Sequence, residues 1–254
     1  MILSPVTIWK KFDLTQALNA ETEAETLTPA GFVAQNVRLD GHLLADGGRV
    51  KIFARFTKPH GSEAAPALLL LPDADDDGAE LADYFAAKGY ATLIPDYCGR
   101  RGGKGTGKVT KSDTAANEAD AAKEDAAKAE KIAAEENTDG GKKNYTVYPE
   151  AADYANYEVS GAPAYLESES VENSAWMEWA YVALYALEYL KTRSDVSKIG
   201  VSGVRLGGEI AWMITLSPDI SCAVIVNAAG WRSHLSVPKW GAASAAGEKS
   251  QDSG

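Results

Sequence analysis

Basic charge is scarce in this chain, and so are histidine, cysteine and long apolar runs. Against 36 acidic residues stand 25 lysines and arginines, a formal net charge of −11. A surface of that sign does not suit a polyphosphate backbone, so nucleic acid is excluded as a partner. Two cysteines, Cys98 and Cys222, are too few for a disulfide framework. Both fall in apolar segments, which predicts a reduced, buried pair. No apolar stretch approaches the roughly 20 residues of a membrane span, and residues 1–9 lack the length and basic leader of a secretory signal. The expected setting is the cytoplasm, with no membrane partner and no cofactor. Only three histidines, His42, His60 and His234, are available for acid–base chemistry.

What is present is a core. At 254 residues and 45% apolar content the chain is long enough for one large α/β domain or two small ones. Residues 1–31 are mixed and read as an extension: Trp9, Phe12, Leu14 and Leu18 could pack on a neighbouring surface, whereas Glu21, Glu23 and Glu25 suggest a solvated connection. Strand signals follow at 32–39 and 49–57. In the second, Val50, Ile52, Ala54 and Phe56 alternate with the residues between them, the period of a half-buried strand. Residues 67–71 form an unbroken apolar run between Pro66 and Pro72, as in a strand buried on both faces. A short helix over 80–88, ended by Gly89, leads to another buried strand at 91–95. That strand–helix–strand unit implies a parallel pair.

Residues 102–143 differ in kind. A Gly/Lys-rich stretch precedes an Ala/Lys/Glu/Asp segment with only Ile132 as a large apolar residue. A helix there would have no face to bury, which predicts a mobile, solvated insertion. Beyond it come a long helix over 172–193, a strand over 198–203, a helix over 209–216 and a strand over 222–228. The last residues, 236–254, are polar and small and read as a flexible tail. The expected domain therefore spans 32–235.

The strongest local signal is Lys198-Ile199-Gly200-Val201-Ser202-Gly203-Val204-Arg205-Leu206-Gly207-Gly208. A strand enters a tight turn with glycines two residues before and two after position 205, and a helix follows. This is the frame of a nucleophile elbow, which lifts one side chain above a sheet. The segment resembles the elbow of the acetyl xylan esterase and dienelactone hydrolase branch of the α/β-hydrolases. The likeness extends over about 32–230, without the insertion: an antiparallel pair first, an apolar strand before a loop, a strand ending in Pro95-Asp96-Tyr97, and a long helix before the elbow. The resemblance implies a three-layer α/β sandwich with a mostly parallel sheet, short of the last strands of that pattern. It also implies carboxylic-ester-hydrolase ancestry, and a ligand cleft lined by Arg205, Leu206, Asp73 and Ala74.

Position 205 departs from the pattern. Its guanidinium stays protonated and cannot attack a carbonyl. Ser202 is the one nearby hydroxyl, but it lies three residues upstream, within the strand, and Gly200 and Gly203 do not frame it as G-x-S-x-G. His42 and His60 precede the elbow and His234 follows too soon after the last strand, so all three are expected to be solvated loop residues. Arg205 has two readings: a bidentate ligand for a carboxylate or phosphate, or a partner of a local acid such as Glu209 or a member of the 73–77 loop.

Weaker motifs have two readings as well. Asp73, Asp75 and Asp77 alternate as in the first half of a calcium loop, but Tyr84 occupies the twelfth position where a glutamate belongs; the other reading is an acidic helix start. Residues 102–108 nearly spell a phosphate loop, but Val109 stands where Ser or Thr would bind the metal. Tyr145, Tyr148, Tyr154, Tyr157, Trp176 and Trp179 could stack on sugar rings or pack the long helix. Trp231 and Arg232, just after the last strand, fall at the sheet edge where open α/β folds bind ligands.

The sequence thus supports a hydrolase-fold protein without serine-hydrolase chemistry, holding an anionic or carbohydrate small molecule. An esterase with an atypical or externally completed site, and a structural or partner-binding module, are the alternatives.

Overall fold

A computed structural model describes residues 13–61, 64–74, 76–99, 138–139, 142–156, 174–215 and 217–228. The expected phosphate-loop stretch, most of the insertion, the polar tail, and Asp75, Tyr157, Trp231, Arg232 and His234 lie outside them.

The strands are β1 (Glu21–Thr22), β2 (Thr26–Leu27), β3 (Val33–Leu43), β4 (Arg49–Lys58), β5 (Ala65–Leu71), β6 (Ala91–Pro95), β7 (Thr138–Asp139), β8 (Lys142–Lys143), β9 (Val196–Val204) and β10 (Cys222–Val226). The helices are α1 (Ala79–Ala87), α2 (Ala175–Thr192) and α3 (Leu206–Ile214), with a 3-10 segment at Glu150–Ala155. Eight strands form one mixed sheet in the order β1-β3-β4-β6-β5-β9-β10, with β2 also on β3. β6, β5, β9 and β10 are mutually parallel, and β4 joins them antiparallel through β6. β7 and β8 pair only with each other.

Alternation along the central strands sorts side chains to two helix layers. Leu69 and Leu71 of β5 and Leu93 of β6 face a core that also holds Trp179, Leu187 and Leu190 of α2 and Ile210 and Ile214 of α3. Leu70 and Ile94 point the other way, against Ala82 of α1. Sheet between two helix layers is the α/β sandwich that the sequence implies. Burying the aliphatic side chains of β5 on both faces is what a parallel central strand requires.

Several boundaries move. α3 starts at Leu206, three residues before the apolar periodicity begins, because Gly207 and Gly208 carry no apolar signal. β9 starts at Val196, two residues before the expected strand over 198–203. The 21–27 stretch is not merely a solvated connection: its two short strands extend the β3 edge, and Glu23 meets Arg38 and Asn36. Leu14 and Leu18 pack against the core as expected. The buried cysteine pair is half wrong. Cys98 is buried, but Cys222 is exposed, since it opens β10, an edge strand whose side chains are mostly uncovered. No helix among the described residues is long and apolar enough to cross a membrane.

Candidate functional site

The turn after β9 is built by close backbone approach. A Cβ on Gly207 would lie 2.0 Å from the Leu71 carbonyl oxygen and 2.3 Å from that of Pro72. One on Gly203 would lie 2.3 Å from the Gly207 carbonyl oxygen. Only glycine fits either place, so α3 can start hard against the end of β5. The residue between them bears the consequence. Arg205 has φ 51° and ψ −115°, a sparsely populated region for a residue with a side chain. Its N–H donates to the Val226 carbonyl at 2.9 Å and its own carbonyl accepts from Glu209 N–H at 3.1 Å. The backbone is thereby fixed from both sides, and the side chain stands up from the sheet, 66% exposed.

Register explains what meets it there. In the parallel β5–β9 pair, Leu71 lies beside Gly203, so two residues further on Asp73 comes level with Arg205. The Arg205 Nη1 to Asp73 Oδ2 distance is 3.1 Å. Asp73 Oδ1 accepts from Ala74 N–H at 3.0 Å and, at the longer distance of 3.4 Å, from Leu206 N–H. Pro95-Asp96-Tyr97 braces this edge: Tyr97 donates its hydroxyl proton to the Pro72 carbonyl at 2.8 Å, and Asp96 Oδ2 accepts from Thr146 N–H at 2.7 Å.

Arg205, Leu206, Asp73 and Ala74 are therefore brought together at the carboxyl end of the parallel strands. Ser202 is not among them. It is part-buried within β9, between Leu70 and Val224 in register, on the face away from Val201 and α2. Of the partners expected for Arg205, the loop acid Asp73 lies within ion-pair distance. The loop carboxylates are turned inward to backbone: Asp76 accepts from Gly78 N–H and Asp77 from Ala79 N–H, each at 2.9 Å. They act as turn and helix-start caps, and among the described residues no group of three acids, histidines or cysteines is placed to hold a metal.

Two of the aromatics, Trp179 and Tyr148, are packed into the core rather than presented at a surface. Trp179 is 2% exposed and donates its indole N–H to the Ala155 carbonyl at 2.7 Å. Its ring meets Tyr97 edge-on at 6.1 Å between centroids, and Tyr148 is buried with its hydroxyl on the Tyr97 carbonyl.

His42 was expected in a solvated loop and is not. It lies in β3, with Nδ1 3.2 Å from both carboxylate oxygens of Glu178 and its ring stacked 4.9 Å from Tyr181. Glu178 is buried at 2% exposure in the first turn of α2. The Tyr154 hydroxyl reaches it at 3.4 Å, and burial together with the Glu178 charge raises the Tyr154 and Tyr181 hydroxyl pKa values well above the ordinary phenol range. This carboxylate–imidazole pair shares the sheet edge of the elbow but is four strand spacings away, roughly 19 Å. It cannot serve as base to a nucleophile at position 205. His60 is exposed in the turn after β4, as expected.

Fold and turn together define the class: an α/β sandwich on a mixed sheet, with a strand–tight turn–helix unit that carries Arg205 at the turn. Solved structures similar to this chain include an acetyl xylan esterase from Paenibacillus sp. R4, at 16% identity over 88% of this chain and 57% of that one, with a TM-score of 0.48. Acetyl xylan esterase 1 from Thermoanaerobacterium sp. JW/SL YS485 is 13% identical over 87% of this chain and 57% of its own, with a TM-score of 0.48. A dienelactone hydrolase-like promiscuous phosphotriesterase from metagenomic libraries is 16% identical over 78% and 60%, with a TM-score of 0.41. The chain spans little more than half the length of these structures. No protein-family model and no curated protein matches it.

Proposed function

We propose that this hydrolase-fold chain has exchanged ester cleavage for anion binding, with Arg205 as the residue that holds the ligand. One observation carries the reading: an arginine occupies the strained elbow position with two-thirds of its side chain exposed at the carboxyl end of the parallel strands. Backbone strain of this kind costs about 1–3 kcal/mol, whereas an exposed ion pair returns about 0–1 kcal/mol. The Arg205–Asp73 pair alone therefore does not offset the strain, which counts against a purely structural role. A guanidinium flanked by the first amides of α3 is suited to a planar carboxylate. Trp179 and Tyr148, two of the aromatics named for a carbohydrate ligand, are buried in packing and do not offer a stacking face.

Thermal shift tests this. Millimolar acetate or a larger monocarboxylate should raise the melting temperature of the wild-type chain, since a ligand bound only to the native state stabilises it. Arg205→Ala should abolish the shift without loss of fold. An equal shift in both proteins would remove Arg205 from the site.

A further inference from the structure

The proposed anion seat is already filled, and the occupant belongs to the chain itself. Two amides from separate segments, Ala74 after β5 and Leu206 at the start of α3, converge on one oxygen of Asp73 at 3.0 and 3.4 Å. The guanidinium of Arg205 lies 3.1 Å from the other. The arrangement is that of a bound monocarboxylate: one oxygen on two amides, the other on a cation. Both partners remain open to water, with Asp73 22% and Arg205 66% exposed, so the pair is of the weakly held, exchangeable kind.

We infer that Asp73 is a competing internal ligand: a small carboxylate binds at Arg205 only by displacing the Asp73 carboxylate, and the loop carrying Asp73 thereby sets the affinity of the site. This deepens, and rests on, the reading of Arg205 as an anion-binding residue. Displacement asks little of the fold. Asp73 keeps its backbone carbonyl on Asp76 N–H at 3.0 Å, and Asp76 and Asp77 hold the start of α1 without it. Rotation of one side chain is enough to empty the seat. No bond is made or broken, and the displaced carboxylate passes into solvent.

The test is an acetate titration of the full chain, followed through the backbone amide resonances of Ala74 and Leu206. Wild type, Asp73→Asn, Asp73→Ala and Arg205→Ala are compared, each checked for fold by circular dichroism. Asp73→Asn removes the charge but leaves a carbonyl in the seat, whereas Asp73→Ala empties it. Affinity should rise in the order wild type, Asp73→Asn, Asp73→Ala, with the last gaining about two- to fivefold, the equivalent of one exposed ion pair. Arg205→Ala should not bind. Equal affinity in wild type and Asp73→Ala, with binding lost in Arg205→Ala, would overturn the internal ligand and leave the anion seat standing. Binding by Arg205→Ala as tight as wild type, or an Asp73→Ala protein whose two amides ignore acetate, would overturn both. Should Asp73→Ala fail to fold, Asp73→Asn decides alone: affinity no tighter than wild type overturns the inference.

Discussion

A methyl group at position 207 would sit on the carbonyl oxygens of Leu71 and Pro72. Those atoms belong to the end of a central strand and cannot yield without moving β5. Gly207→Ala is therefore expected to destabilise the protein by about 3 kcal/mol, the upper range of an overpacked core, measurable as a drop in denaturation midpoint at constant slope. Position 205 makes the opposite case. At φ 51° a side chain is tolerated rather than favoured, so glycine fits the backbone better there. Arg205→Gly should be more stable than Arg205→Ala by about 1 kcal/mol; equal stabilities would show that the elbow is not strained. At this scale the sequence is legible where spacing is the message. Gly203 and Gly207 mark the elbow because backbone contact forbids anything larger. The Asp73 contact is a matter of strand register, which local sequence does not state, and it emerges only as one of several acids in reach. His42 is illegible for a related reason: its partner is Glu178, brought in by a helix that starts far along the chain.

Helix α2 shows what an element's pattern reveals and conceals. Its apolar spacing marks a helix, yet the element is buried nearly all round, and a buried charge on it follows from that rather than from any motif. Glu178 falls one turn from Tyr181 and Val182, on the same apolar stripe, and that placement is the signal by which its burial could have been read. The junction of α2 with β9, at the opposite edge of the sheet from the elbow, is held by charge. Arg193 lies 3.7 Å above the ring of Phe56 and forks onto Asp195, both contacts at 2.8 Å. Lys58 of β4 adds a further contact to Asp195 at 3.1 Å. The Arg193 hydrogen bonds, above all, pull the Asp195 carboxyl from 3.8 down to about 2. A group whose folded pKa is depressed contributes stability above its unfolded pKa and loses it as pH falls through the folded one. Acid unfolding curves of wild type and Asp195→Asn should therefore converge between about pH 4 and pH 2, with wild type the more stable above that window. A constant gap across it would assign the stabilisation to something other than the charge.

For the molecule as a whole, strand order decides what chemistry is open. The mixed sheet places the elbow on β9 and the His42–Glu178 pair on β3, at one edge but with three strands between them. The sandwich was foreseeable from the order of apolar runs, because burial on two faces and a strand–helix–strand crossover leave few alternatives. Where each polar group lands along the edge was not, because it depends on pairings between distant segments. The resulting site has a cation and two amides facing a carboxylate, and the turn residues 203–208 carry no hydroxyl or thiol side chain. The most direct test of the central claim is covalent labelling by a fluorophosphonate probe, which reports an activated serine whatever the substrate. The wild-type chain is expected to show no labelling and no p-nitrophenyl acetate hydrolysis above the uncatalysed rate. Stoichiometric labelling that disappears in Ser202→Ala would contradict it.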